Sequence, residues 1–119
     1  MSALALLTHT DCLQHEMAGH PERPERLHAV LERLDTSGLA ATCQRLFPEP
    51  LALELLTLTH PAAYVDALVS HEPKEGLTRV DPDTYMCPGS VRAARLAAGA
   101  CVTAVELVLA GQVSREIGR

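Results

Sequence analysis

The sequence predicts an α/β fold, mostly helical, built on a parallel sheet of which this chain holds one or two short strands. Three stretches carry that prediction. Ala3 to Leu7 is a short apolar run that stops at Thr8-His9-Thr10-Asp11, the pattern of a strand buried on both faces and followed by a loop. Pro24 to Leu34 places Leu27, Val30, Leu31 and Leu34 at i, i+3, i+4 and i+7, the stripe of an amphipathic helix. Val91 to Ala110 is apolar almost throughout, and the rest of the chain is organised around it.

That long run has a helix start and a helix stop. Pro88 suits the first turn, where its missing N–H needs no partner, and Gly111 suits the left-handed position just past the end. A helix from Pro88 to Ala110 would be roughly 34 Å long at 1.5 Å per residue. Its first turns are two-faced, with Arg92 and Arg95 opposite Val91, Ala94 and Leu96. From Leu96 onward only Thr103 and Glu106 are polar, so the helix demands burial on several sides. The small residues Ala97-Ala98-Gly99-Ala100 allow a neighbouring backbone to approach closely. A membrane span is the rival reading. The stretch free of arginine, Leu96 to Ala110, contains Glu106 and falls short of the roughly 20 apolar residues a bilayer requires, so no membrane association is expected.

The remaining elements follow in order. The loop from His9 to His20 leaves the carboxyl end of the first strand, where ligands gather in open α/β sheets. Asp35 to Gly38 closes the first helix, and Cys43 to Phe47 is a candidate second strand. Pro48-Glu49-Pro50 turns the chain, and Leu51 to Leu58 reads equally as strand or helix. Pro61 can start a helix carrying Ala62, Val65, Leu68 and Val69 on one side. His71 to Val80 is a polar loop leading into Asp81 to Ser90.

With 119 residues the chain is one domain at most. Hydrophobic residues reach 47%, which excludes compositional disorder, while aromatic residues are only 3%, so Leu, Val and Ala must fill the core. A net charge of -5 argues against nucleic acid as a partner. Met1 to Leu7 has no basic segment of a signal peptide, so a cytoplasmic location is expected. Cys12, Cys43, Cys87 and Cys101 form no C-x-x-C pair and are expected reduced. The long helix asks for more covering elements than the other segments supply. A fragment of a larger body is the expectation.

Three constellations could carry chemistry. His9, Cys12, His15 and His20 are nitrogen and sulfur donors of the kind zinc takes, at a spacing that fits no closed motif. His20-Pro21-Glu22-Arg23-Pro24-Glu25-Arg26 puts acidic residues at a helix N-terminus, with Arg26 in the first turns. Asp81 and Asp83 are short carboxylates ahead of the long helix. They suit turn formation or a charge-assisted hydrogen bond to a substrate N–H.

Three blocks of sequence resemble the zinc-dependent histone deacetylase family, including its bacterial deacetylase-like and acetylpolyamine amidohydrolase members. They are His20-Pro21-Glu22-Arg23-Pro24-Glu25-Arg26, Leu58-Thr59-His60-Pro61-Ala62-Ala63-Tyr64-Val65, and Asp83-Thr84-Tyr85-Met86-Cys87-Pro88-Gly89-Ser90 through Ala97-Ala98-Gly99-Ala100. Their order matches the N-terminal part of the catalytic domain, and the third looks most like class II members. The likeness covers about residues 3 to 113. It implies an arginase/deacetylase-like fold, zinc as cofactor, and hydrolysis of an acetyl amide on lysine, a polyamine or a similar amine. It also implies Arg26 at the foot of the acetyl pocket and Asp83 to Ser90 along the substrate rim, so Arg26, Asp83 and Ser90 are the expected substrate-binding residues. Some class II relatives hold a structural zinc with cysteines near the first loop and the histidine at the His20 position. Here Cys12 and His20 match, and the other positions are not cysteine.

The departure from the family concerns catalysis. The family's zinc ligands come from Asp-x-His and a later Asp, and its proton shuttle from adjacent histidines. This sequence contains no Asp-x-His and no His-His. Residues 1–113 are therefore expected to be the N-terminal part of such a domain and 114–119 a divergent tail, with no catalytic residue and no zinc on this chain alone. The rival expectations are a non-catalytic interaction module that self-associates through exposed apolar surface, and a small metal module on His9, Cys12, His15 and His20.

Overall fold

A computed structural model describes residues 4–111 and 115–118. The first apolar run forms β1 (Leu4–Leu7), and the candidate second strand forms β2 (Gln44–Leu46). They pair in parallel, with Leu6 opposite Arg45. Between them lies α1 (Pro24–Thr36), which starts with Pro24 in its first turn and is followed by Gly38 at φ 81°. The ambiguous stretch 51–58 holds the single-turn helix α2 (Leu53–Leu56), and α3 (Ala62–His71) follows Pro61.

Two strands were not expected from the sequence where they occur. The stretch read as a polar loop ends in β3 (Thr78–Asp81), which pairs antiparallel with β4 (Thr84–Met86) through the turn Pro82-Asp83. The reason is local. Asp81 Oδ1 accepts the Asp83 N–H at 2.9 Å, a side-chain turn that folds the chain back and lets Thr78 pair with Met86. A loop was the wrong reading for 78–80.

The long helix α4 (Ser90–Leu109) starts two residues later than expected. Gly89 occupies the N-cap position at φ 93°, with Pro88 outside the helix. Left-handed backbone favours glycine, and a Cβ on Gly89 would stand 2.7 Å from Gln14 Cβ. The other end matches expectation, with Ala110 as C-cap and Gly111 at φ 73°. Beyond it β5 (Arg115–Gly118) pairs in parallel with β1, giving the sheet order β2-β1-β5. This strand falls within the segment set apart as a divergent tail. The boundary at 113 itself lies outside the described residues.

The core sits between β1 and α4. Alternate β1 side chains Ala5 and Leu7 meet Ala100 and Ala104 of α4, with Leu46 and Leu107 packed around them. Leu6 points to the opposite face and lines a cavity there. On α4 the buried positions are Ser90, Ala93, Leu96, Gly99, Ala100 and Ala104, one face of the helix. Its other face is open: Val105 is 58% exposed and Leu109 81%. The demand for cover on several sides is real, and these residues meet it on one.

The small-residue run does what its composition implies. A Cβ at Gly99 would collide with the Glu49 carbonyl oxygen. Beside it Leu51 N–H donates to Arg95 O at 3.0 Å and Arg95 Nε donates to Leu51 O at 2.8 Å. Glycine at 99 thus lets the Glu49–Leu51 backbone lie directly on α4. Gly99→Ala is expected to cost about 3 kcal/mol, the scale of core overpacking, in urea unfolding. A change under about 0.5 kcal/mol, typical of an inert surface position, would mean that the backbone contact is not tight.

Candidate functional site

The loop that leaves the carboxyl end of β1 runs under the N-terminus of α4 and is tied to it by a small polar network. The Cys87 N–H donates to Ser90 Oγ at 2.9 Å, closing the turn before the helix. That leaves the Ser90 hydroxyl proton for His15, whose Nδ1 lies 2.7 Å away. With Nδ1 accepting, Nε2 carries the proton and faces Glu22 Oε2 at 3.8 Å. The buried Cys87 thiol donates to Gln14 O at 2.9 Å and accepts the Glu16 N–H at 3.2 Å. Nearby, Arg92 Nε donates to Asp11 Oδ2 at 2.7 Å. Farther along, Glu72 Oε1 accepts the Val91 N–H at 2.6 Å, a carboxylate on the positive end of α4. Neither the Cys87 anchor nor the Glu72 cap was expected from the sequence, since each pairs residues with no local spacing signal.

A second tie joins the same loop to the hairpin. The Glu22 N–H donates to His20 Nδ1 at 3.0 Å, which places the ring proton on Nε2. Nε2 then donates to Asp83 Oδ1 at 3.1 Å. Asp83 is otherwise open, its side chain 93% exposed, so its second oxygen faces solvent. Asp81 beside it is a turn former: the Asp83 N–H, and after it the Thr84 hydroxyl, hold its carboxyl below the ordinary carboxylate value.

On the other face of β1 a cavity of about 660 Å³ opens between α1, α3 and the first turns of α4. The α1 stripe Leu27, Val30, Leu31 and Leu34 forms one wall, and no residue of α1 is fully buried. Arg26 and Ser90 both line this cavity, whereas Asp83 stands in the hairpin turn outside its lining. Among the described residues the Arg26 side chain makes no hydrogen bond or ion pair; it is exposed to solvent at a cavity whose lining also includes Glu22, Arg23, Asp81 and Arg95. Sequence reasoning had picked out Arg26, and the structure leaves it unpaired.

The four donors His9, Cys12, His15 and His20 do not converge. His9 Nδ1 accepts the Asp11 N–H and its ring meets Phe47 edge to face, while His15 and His20 serve Ser90 and Asp83. Among the described residues no three His, Cys, Asp or Glu side chains are grouped to hold a metal ion. This donor set does not fit zinc. Nor does any helix among the described residues have the length and apolarity to cross a membrane.

A parallel sheet, a loop at the carboxyl end of its first strand and a mostly apolar cavity with Arg23, Arg26 and Arg95 in its lining define the class as an α/β domain. The particular family follows from comparison. The histone deacetylase domain family matches residues 20–118, and the chain belongs to that family. It is 37% identical over 95 residues to the histone deacetylase-like amidohydrolase of Pseudomonas aeruginosa, covering 80% of this chain and 25% of that protein. It is 38% identical over 97 residues to polyamine deacetylase HDAC10 of Homo sapiens, covering 77% of this chain and 14% of that one. Among solved structures, the crystal structure of the HDA15 HD domain superposes with a TM-score of 0.89 at 30% identity, covering 97% of this chain and 34% of that one. The chain thus spans a quarter or less of these two curated relatives.

Two outcomes follow from this geometry. Ser90→Ala leaves the Cys87 N–H and His15 Nδ1 without their partner, and should cost about 1–3 kcal/mol, whereas Arg26→Ala should stay within about 0.5 kcal/mol. Urea unfolding of both variants checks this, and an equal loss in the two would contradict it. Because the Asp81 carboxyl is depressed in the folded state, its contribution to stability is present above the ordinary carboxylate range and fades as pH falls through the folded value. Asp81→Asn should therefore flatten the acid limb of a stability–pH profile below about pH 4; an unchanged limb would mean that the turn carries no such coupling.

Proposed function

We propose that this chain forms one wall of the acyl pocket of a zinc-dependent amide deacetylase, and that alone it does not catalyse the reaction. The observation carrying the reading is the unpaired Arg26 guanidinium lining the cavity together with Ser90. Arg26 offers two parallel N–H donors to an acyl oxygen or a released acetate. Ser90, oriented by His15, forms the polar part of the wall. Asp83, one oxygen held by His20, presents the other to a substrate N–H at the rim.

Zinc belongs to the family resemblance. Here no Asp-x-His and no paired histidines are encoded within the 119 residues, and the donors present do not fit the ion. Polarisation of an amide carbonyl and activation of water would have to come from groups outside this sequence. The substrates proposed are acetylated lysine or small acetylated amines, in keeping with the names of the relatives. A cytoplasmic setting accords with four cysteines that form no disulfide. Self-association is a second reading, favoured by the open face of α4 with Val102, Val105 and Leu109.

Purified chain mixed with zinc and an acetyl-lysine amide is expected to hold less than one equivalent of metal after dialysis and to release no acetate. One zinc per chain with measurable hydrolysis would overturn the inactivity of the isolated chain.

A further inference from the structure

We infer that the loop from His9 to Glu22 is a pH-sensitive clasp, latched at its two ends by the neutral rings of His9 and His20. Each latch is a backbone N–H aimed at a ring nitrogen. His9 Nδ1 accepts the Asp11 N–H at 3.0 Å, and His20 Nδ1 accepts the Glu22 N–H at 3.0 Å. A backbone N–H can only donate, so both bonds exist only while Nδ1 carries no proton. Histidine changes charge between about pH 5 and 8, and the added proton goes to that nitrogen. Water reaches both rings: the His9 side chain is 26% exposed and that of His20 18%. The middle of the loop lacks this sensitivity. His15 Nδ1 faces the Ser90 hydroxyl at 2.7 Å, which can turn to accept once the ring is protonated. The Cys87 thiol holds the same stretch through Gln14 O and the Glu16 N–H.

Charged neighbours decide where the protonated rings go. Asp11 Oδ2 lies 3.9 Å from His9 Nδ1, but the same oxygen takes Arg92 Nε of α4 at 2.7 Å, so a protonated His9 competes with Arg92. On the hairpin, Asp83 Oδ1 keeps its 3.1 Å bond to His20 Nε2 and gains a full ion pair. Glu22 Oε2 faces the middle ring, 3.8 Å from His15 Nε2. Phe47, edge to face with His9, adds no charge. These carboxylates attract protonated rings yet restore neither N–H bond. As pH falls, His20 therefore shifts its hold from its own loop to the hairpin, and His9 shifts from the backbone to the Asp11–Arg92 pair. Cys12, His15 and Glu22 line the cavity, so the loop loosens at both ends beside it while its middle stays anchored. The clasp does not depend on what the cavity binds.

The test is amide hydrogen exchange of the full chain by NMR across the histidine range, from about pH 7.5 down to about pH 5, corrected for the intrinsic exchange rate. Protection of the Asp11 and Glu22 amides is expected to fall about tenfold, the change that one pH unit makes in the neutral fraction of a titrating ring. The fall should run in step with the His9 and His20 ring signals, while the Glu16 amide on Cys87 keeps its protection. Asparagine puts an amide oxygen where Nδ1 stands and takes no proton. His9→Asn should therefore hold the Asp11 amide constant with pH, and His20→Asn the Glu22 amide. Both positions are partly exposed, so both variants should fold. Protection that does not change with pH, or that falls equally at Asp11, Glu16 and Glu22, would overturn the clasp. A fall that persists undiminished in the asparagine variants would overturn it too, since the rings would not be its cause.

Discussion

The contact on which the rest of the structure depends is the seat of α4 on β1. Ala100 and Ala104 rest on Ala5 and Leu7, and side chains this small bring the helix axis close to the sheet. Closeness there fixes the position of everything attached to α4. One turn earlier, Gly99 and Arg95 take the Glu49–Leu51 backbone, so the connection after β2 is held against the same helix. At the N-terminus, Glu72 and Ser90 satisfy helix and turn N–H groups that would otherwise be exposed to an apolar surround. A single rod therefore sets where the ligand-side loop, the hairpin and the cavity stand.

The candidate site takes its shape from how the loop after β1 is tied down. Cys87 and Ser90 hold it to α4 through Gln14, His15 and Glu16, and His20 holds it to the hairpin through Asp83. Two of the four candidate metal donors, His15 and His20, are taken up in these ties. Arg26 escapes them because its position on α1 turns it to the cavity instead.

Much of this was legible in the sequence, for physical reasons that differ by element. The apolar run at β1, the stripe of α1 and the bulk-free run before Ala100 each follow from a local period or composition, and each was found. The β3–β4 hairpin was missed because its strands are three and four residues long and its turn depends on the Asp81 side chain rather than on a glycine. Pro88 misled because proline at a helix start is common, while the actual start was set by Gly89 packing against Gln14, a contact across 75 positions of chain. Arg26 and Ser90 came from the family resemblance and share a cavity. Asp83, from the same source, stands at the turn instead.

What the sequence asks of α4 is cover on more than one side, and the described residues cover one. Thiol labelling measures this directly, because α4 carries Cys101 on its open face and Cys87 lies buried before its first turn. In dilute native protein, iodoacetamide should modify Cys101 rapidly and leave Cys87 intact until urea unfolds the chain. Equal protection of the two thiols would contradict the account, since the second face of α4 would then be closed.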